Sequence, residues 1–105
     1  MHHRQVRHIY AVMSDYVTKG KKSAYKRKQM RRLINILEDI FEHESISRIH
    51  AIGRRQIIGY WRRHEHESQK TRLEKYHILL RFFASYPLTA NVNEPKPKVS
   101  NKKEV

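Results

Sequence analysis

Apolar side chains at Val6, Ile9, Tyr10, Met13, Tyr16 and Val17 recur at intervals of three and four, which predicts an amphipathic helix over residues 4–18, ending near Gly20. A basic loop, 19–23, leads to Ser23, a suitable N-cap for a second helix over 24–43 with Met30, Leu33, Ile34, Leu37, Ile40 and Phe41 on its buried face. Residues 43–52 carry Ile46, Ile49 and Ile52 among polar neighbours, the pattern of a packed connector with at most one helical turn. A short third helix is predicted from Gly53 to His64, with Ile57, Ile58 and Trp61 inward and Gly59 weakening it by up to about 1 kcal/mol relative to alanine. Ser68 then caps a fourth helix whose inner face is Leu73, Tyr76, Leu79, Leu80 and Phe83, with Pro87 beyond its end.

The expected fold is therefore all-α, a compact four-helix bundle over residues 1–88, followed by a tail, 89–105. From Asn91 the tail has two prolines, no aromatic residue and no periodicity, and it is expected to be disordered. At 105 residues the chain accommodates one domain and no large cleft between domains. It has no cysteine, which excludes disulfides and Cys-containing zinc sites and suits a reducing compartment. The longest uninterrupted apolar run, 9–13, is far short of a signal peptide core or a membrane span, so a cytoplasmic protein with no membrane association is expected.

Charge changes the picture more than composition does. The chain holds 23 Lys and Arg against 10 Asp and Glu, a formal net charge of +13, which favours a polyanionic partner. The excess is uneven: residues 1–35 carry +9, 36–50 carry −3, 51–90 carry +5 and the tail +2. The second helix opens with Lys26, Arg27, Lys28, Arg31 and Arg32 and closes with Glu38, Asp39 and Glu42. That order opposes the helix dipole, and the i, i+4 pairs Arg27 with Arg31 and Lys28 with Arg32 repel each other by a few tenths of a kcal/mol. A run of consecutive phosphates near the free N–H groups of the first turn would resolve the conflict.

The fourth helix opens in the same way, with Gln69, Lys70, Thr71, Arg72 and Lys75. This set mixes phosphate binders with side chains able to read base edges. Arg54, Arg55 and Gln56 make a third cluster at the start of the third helix.

The other chemistries are weakly represented. His64-Glu65-His66-Glu67 is the densest group of metal-binding residue types, but histidines two apart point to different faces of a helix, so no metal site and no cofactor is expected. Gly20, Gly53 and Gly59 fall in no nucleotide-binding pattern, and no catalytic triad or carboxylate dyad stands out. The aromatic residues fall on the apolar stripes. Tyr60, beside such a stripe, is the one candidate for stacking on a base.

Three stretches taken together, KSAYKRKQMRRLINILEDIFE, ISRIHAIGRRQIIGYWRRH and ESQKTRLEKYHILLRFFASYP, resemble the N-terminal core-binding domain of phage-type tyrosine recombinases and integrases. The resemblance spans residues from about 5 to 86, and I-G-R-R-Q-x-I-x-x-W followed by S-x-K-T is its most characteristic part. It implies a SAM-like bundle forming one jaw of a clamp on duplex DNA, with the second and fourth helices at the major groove. Carried over, Ser23, Lys26, Arg27 and Arg31 and then Gln69, Lys70, Thr71, Arg72 and Lys75 match the DNA-facing positions.

In that family strand cleavage belongs to a separate tyrosine-bearing domain, too large for this chain. The resemblance thus implies DNA binding without catalysis in site-specific recombination or DNA integration. A recombinase catalytic domain or other integrase subunits would be partners, in a bacterial cytoplasm and at the nucleoid when bound. A helical protein-interaction domain for an acidic partner is the competing expectation, and RNA is a further polyanion that charge alone admits.

Overall fold

The computed structural model describes residues 3–20, 23–86 and 95. Among them the fold is all-α, with helices α1 (His3–Val12), α2 (Ser14–Thr18), α3 (Ala24–His43), α4 (Arg54–Arg63) and α5 (Gln69–Ser85), and a single 3-10 turn at Ile49–Ala51. Apart from residue 95, the expected disordered tail lies outside the described residues. None of the described helices is long and apolar enough to cross a membrane.

The first predicted helix is divided. Met13 takes φ −94° and ψ 12°, which ends α1 and starts α2, yet the bonds from Met13 N to Ile9 O and from Val17 N to Met13 O, both 3.0 Å, carry the helical pattern across the bend. Ile9 and Met13 are buried on either side of it, so the bend keeps both in the core.

Ser23 and Ser68 cap α3 and α5 as expected, each Oγ accepting a backbone N–H three residues on, from Lys26 and Thr71 respectively, at 3.2 Å. At the far end of α3, Ser45 adopts φ 54° and turns the chain into the connector, where Ile49 and Ile52 are buried.

The core is one cluster. Met30, Leu33, Ile36, Leu37 and Ile40 of α3 pack with Ile57, Tyr60 and Trp61 of α4 and with Ile78, Leu79, Phe82 and Phe83 of α5. Several positions differ from the predicted faces: Tyr10 is 43% exposed, and in α3 Ile36 is buried while Ile34 and Phe41 are half-buried. In α4, Tyr60 rather than Ile58 is fully inside. In α5 the buried positions are 72, 78, 79, 82 and 83, with Tyr86 buried just beyond its end, while Leu80 is 39% exposed and Leu73 and Tyr76 are half-buried. The run Ile78 to Phe83 is apolar nearly all round, so its periodicity fixes no face, and packing against α3 decides the rotation.

α3 and α5 lie side by side in opposite directions. Arg32 of α3 pairs with Glu74, Gln29 Nε2 donates to the Glu74 carbonyl at 3.1 Å, and Tyr25 shares a groove with Arg81 and Ala84. The starts of α3 and α5 are thereby displaced along one seam, and α4 packs against the acidic half of α3.

Candidate nucleic-acid interface

On α3 the residues pointing away from the core form a stripe through Arg27, Lys28, Arg31 and Asn35, the positions that remain once Gln29, Met30, Leu33, Ile36 and Leu37 face inward. Arg27, Lys28 and Arg31 are exposed, and among the described residues no carboxylate lies within ion-pair distance of them. Ser23 spends its oxygen on the cap. Lys26 folds back, its Nζ donating to the Lys19 carbonyl at 2.6 Å and sitting 5.5 Å from the Tyr16 ring centroid.

The α5 cluster is not the uniform basic surface that the sequence suggested. Lys70 is exposed. Thr71 is tied to Ser68 at the cap, its Oγ1 accepting from Ser68 Oγ at 3.1 Å, and Gln69 Oε1 accepts from Arg72 at 3.3 Å. Arg72 itself is only 2% exposed and reaches the Trp61 carbonyl at 3.4 Å; the rotation of α5 that buries Leu79 and Phe82 carries position 72 inward as well. Lys75 is also withdrawn, with 11% of its side chain exposed and its ammonium on Glu67 Oε2 at 2.7 Å and on the Tyr60 hydroxyl at 2.9 Å. Arg72 and Lys75 are thus structural side chains, which corrects their assignment to a DNA-facing surface.

What the fold does bring together is the edge between α3 and α5. Glu74 sits there, hydrogen-bonded and ion-paired to Arg32, with the charges of Lys28 and Lys70 also acting on it. The Arg32 hydrogen bond is the main reason that its carboxyl is held below the usual range; the charges of Arg32, Lys28 and Lys70 add to that. Lys28 from α3 and Lys70 from α5, distant in sequence, therefore share one electrostatic neighbourhood.

Beyond this edge the seam continues as an open groove of about 530 Å³, lined by Tyr16, Tyr25, Gln29, His77 and Arg81. Tyr25 is 53% exposed, and the Arg81 guanidinium lies 4.9 Å from the Tyr16 ring centroid. Burial, then the neighbouring Tyr25, push the Tyr16 hydroxyl above its ordinary range against the pull of Arg81. Tyr25, Arg32 and Arg81 were not singled out as binding residues from sequence. For Arg81 the available signal was its α5 face, four-residue steps from Lys70 to Glu74 and from His77 to Arg81, which became visible only once the rotation of α5 was known; Tyr25 and Arg32 meet that face from α3.

The third cluster lies apart. Arg54 and Arg55 are exposed and, with Arg62, surround a hollow of about 590 Å³ beside Glu44, which follows the C-terminal end of α3. A helix of 20 residues is about 30 Å long, so these arginines and the first turn of α3 stand near opposite ends of it. Gln56 Oε1 is engaged, accepting the Gly53 N–H at 2.8 Å as part of the α4 cap.

Asp39 of α3 and Glu44 just beyond its end find their partners within the fold. Arg63 holds Asp39 Oδ1 through Nε at 3.0 Å and Nη2 at 2.7 Å, and Glu44 Oε2 through Nη1 at 2.6 Å. His64 Nε2 lies 2.9 Å from Asp39 Oδ2, and its ring stacks on Tyr60 with centroids 4.1 Å apart. Tyr60 is therefore a buried member of this network, not an exposed stacking platform. Gly59 has its place here too, because a Cβ at that position would collide with the Glu44 carboxylate.

Burial alone would raise Asp39 and Glu67. Hydrogen bonds from His64 and Arg63 outweigh it at Asp39, and the Lys75 bond and charge do so at Glu67, so both carboxyls titrate below their ordinary values. The same bonds from Glu44 and Asp39 raise Arg63 despite its burial, and Tyr60 is raised chiefly by burial. A lowered folded value means that the carboxylates stabilise the fold fully above the unfolded range of about pH 4 to 4.5, and that this stability disappears as pH falls towards the folded values. Urea unfolding is therefore expected to give a plateau near neutrality and a falling midpoint below about pH 4.5. A midpoint unchanged down to pH 3 would remove the network from the stability of the fold.

One sequence argument does not survive the geometry. Residues 64–68 form a turn, so the helical reason for separating His64 from His66 does not apply, and one ligand atom each from His64, His66 and Glu67 lies within 4.8 Å of the others. No family model matches the chain, nor does any curated protein or solved structure.

Proposed function

We propose that this chain binds duplex DNA, as the resemblance to an integrase core-binding domain implies, through the exposed cations of α3 and the adjoining edge of α5. The observation that carries this reading is the state of Arg27, Lys28, Arg31 and Lys70: all exposed, with no carboxylate at ion-pair distance among the described residues, and with Lys28 and Lys70 acting together on the Arg32–Glu74 pair. Asp39 of α3 and Glu44 just beyond it are paired inside the fold, whereas Arg27, Lys28 and Arg31 are left for an external anion. Arg27, Lys28 and Arg31 would position the module on phosphates. Lys70, Gln69 and Thr71, at the first turn of α5, are the groups nearest to a role in reading bases. Arg54 and Arg55 would belong to a second contact some distance along the duplex. Strand cleavage, on this reading, is the task of a separate recombinase domain.

Fluorescence anisotropy with a short labelled duplex tests the proposal. Three phosphates neutralised by Arg27, Lys28 and Arg31 correspond to a slope near −2.7 in log affinity against log salt, so affinity should fall at least roughly 40-fold between about 50 and 200 mM salt. An affinity flat across that range would overturn it. A matched RNA duplex serves as the competing arm: displacement of DNA by RNA at equal concentration would argue for a polyanion receptor indifferent to groove shape. The alternative of an acidic protein partner has Tyr25, Tyr10 and Leu80 in its favour, exposed apolar surface near the same cations. Its mark would be a protein complex that persists in high salt, with no retardation of DNA.

A further inference from the structure

We propose that His64, His66 and Glu67 bind a divalent transition-metal ion such as Zn²⁺, with a fourth coordination position left open. Two imidazoles and a carboxylate are a donor set suited to that ion, and one atom from each lies within 4.8 Å of the others. The spacing of His64 and Glu67 is already that of a coordination shell. Bonds of about 2.0 Å at a tetrahedral angle place two donors about 3.3 Å apart, and His64 Nδ1 lies 3.3 Å from Glu67 Oε2. As a hydrogen bond that contact is long, so little is lost in exchanging it for metal bonds. His66 is exposed, on the turn between α4 and α5, and has only to close the remaining gap.

The surroundings are those that orient metal ligands. His64 Nε2 faces Asp39 Oδ2 at 2.9 Å; donation of its N–H to that oxygen leaves the Nδ1 lone pair directed at the site. Asp39 is in turn fixed by two bonds from Arg63. Lys75 holds Glu67 Oε2 at 2.7 Å, while Glu67 Oε1 is buried with no hydrogen-bond partner among the described residues, an acceptor with unused capacity. Asp39 and Glu67 beside the site are each matched by one permanent cation, Arg63 and Lys75 respectively. An ion at this point would brace the turn immediately before Ser68, the cap of α5.

Titration of the full chain with Zn²⁺ by calorimetry near neutral pH, and with Co²⁺ by visible absorption, tests the site independently of DNA binding. One equivalent, the intense absorption of tetrahedral cobalt and a melting temperature that rises until one equivalent is reached are expected. His66→Ala, at an exposed position, should weaken Zn²⁺ binding at least about tenfold and abolish the cobalt bands, and Asp39→Asn should weaken it by about 10 to 100-fold. Should Asp39→Asn fail to fold, Glu67→Gln replaces it with the same expected loss. His3→Ala, remote in sequence, should bind as the parent does. No uptake by the parent chain, equal uptake by His66→Ala, or the weak absorption of octahedral cobalt would each overturn the proposal.

Discussion

The double variant Arg27→Ala/Arg31→Ala is expected to keep its melting temperature and lose most of its affinity for duplex DNA. Both side chains are exposed and meet no carboxylate within the described residues, so their removal takes nothing from the core and relieves an i, i+4 repulsion. Each lost charge-assisted hydrogen bond to phosphate is worth about 1.5–3 kcal/mol, which makes the combined loss roughly hundredfold or more. The salt slope should also become shallower by about 1.8, since two phosphates are no longer neutralised. Arg72→Ala is the natural contrast. That side chain is 2% exposed and spans from Gln69 to the Trp61 carbonyl, so truncation should cost about 2–4 kcal/mol of stability and leave the salt slope of the folded fraction unchanged. A variant pair with these effects interchanged would refute the division of the basic residues into surface and structural groups.

Arg63→Met is expected to be the most damaging single change in the polar network. It leaves Asp39 and Glu44 facing each other's surroundings with their principal cation gone, at side-chain exposures of 18% each. Removing one partner of a fully buried ion pair costs about 3–5 kcal/mol; partial solvation here reduces the expectation to about 2–3 kcal/mol. The loss should shrink as pH falls below about 4, because a protonated carboxyl no longer needs a counter-charge. Urea unfolding of both proteins at neutral and acid pH measures this directly, and a difference independent of pH would assign the cost to packing of the Arg63 stem instead.

The same residues show how far a one-dimensional reading carries. Helix ends were legible because Ser23 and Ser68 act on atoms three residues away, within reach of any local argument. Although the run from Leu33 to Leu37 has one polar residue, and Ile36 rather than Ile34 is fully inside, the inner face of α3 was legible at Met30, Leu33, Leu37 and Ile40. The face of α5 was not, since the sequence from Ile78 to Phe83 is compatible with several rotations, and the choice made by packing carried Arg72 out of the basic surface. Partners distant along the chain were equally hidden. Arg32 and Glu74 are 42 residues apart and Arg63 and Asp39 are 24 apart, so nothing local distinguishes a paired arginine from an available one. The run His64 to Glu67 carried a further ambiguity: histidines two apart are separated onto different faces only in a helix, and here the chain forms a turn.

Glu74 gives the proposed surface a property of its own. A carboxylate planted among Arg32, Lys28 and Lys70 is a resident stand-in for the very anion the surface would receive. An incoming phosphate must displace or share it, so engagement becomes an exchange between two anions and not a simple capture. Isolated phosphates would be poor competitors against a tethered rival, whereas a long array of them would not, and the surface would thereby favour extended polymers over the abundant small anions of its milieu.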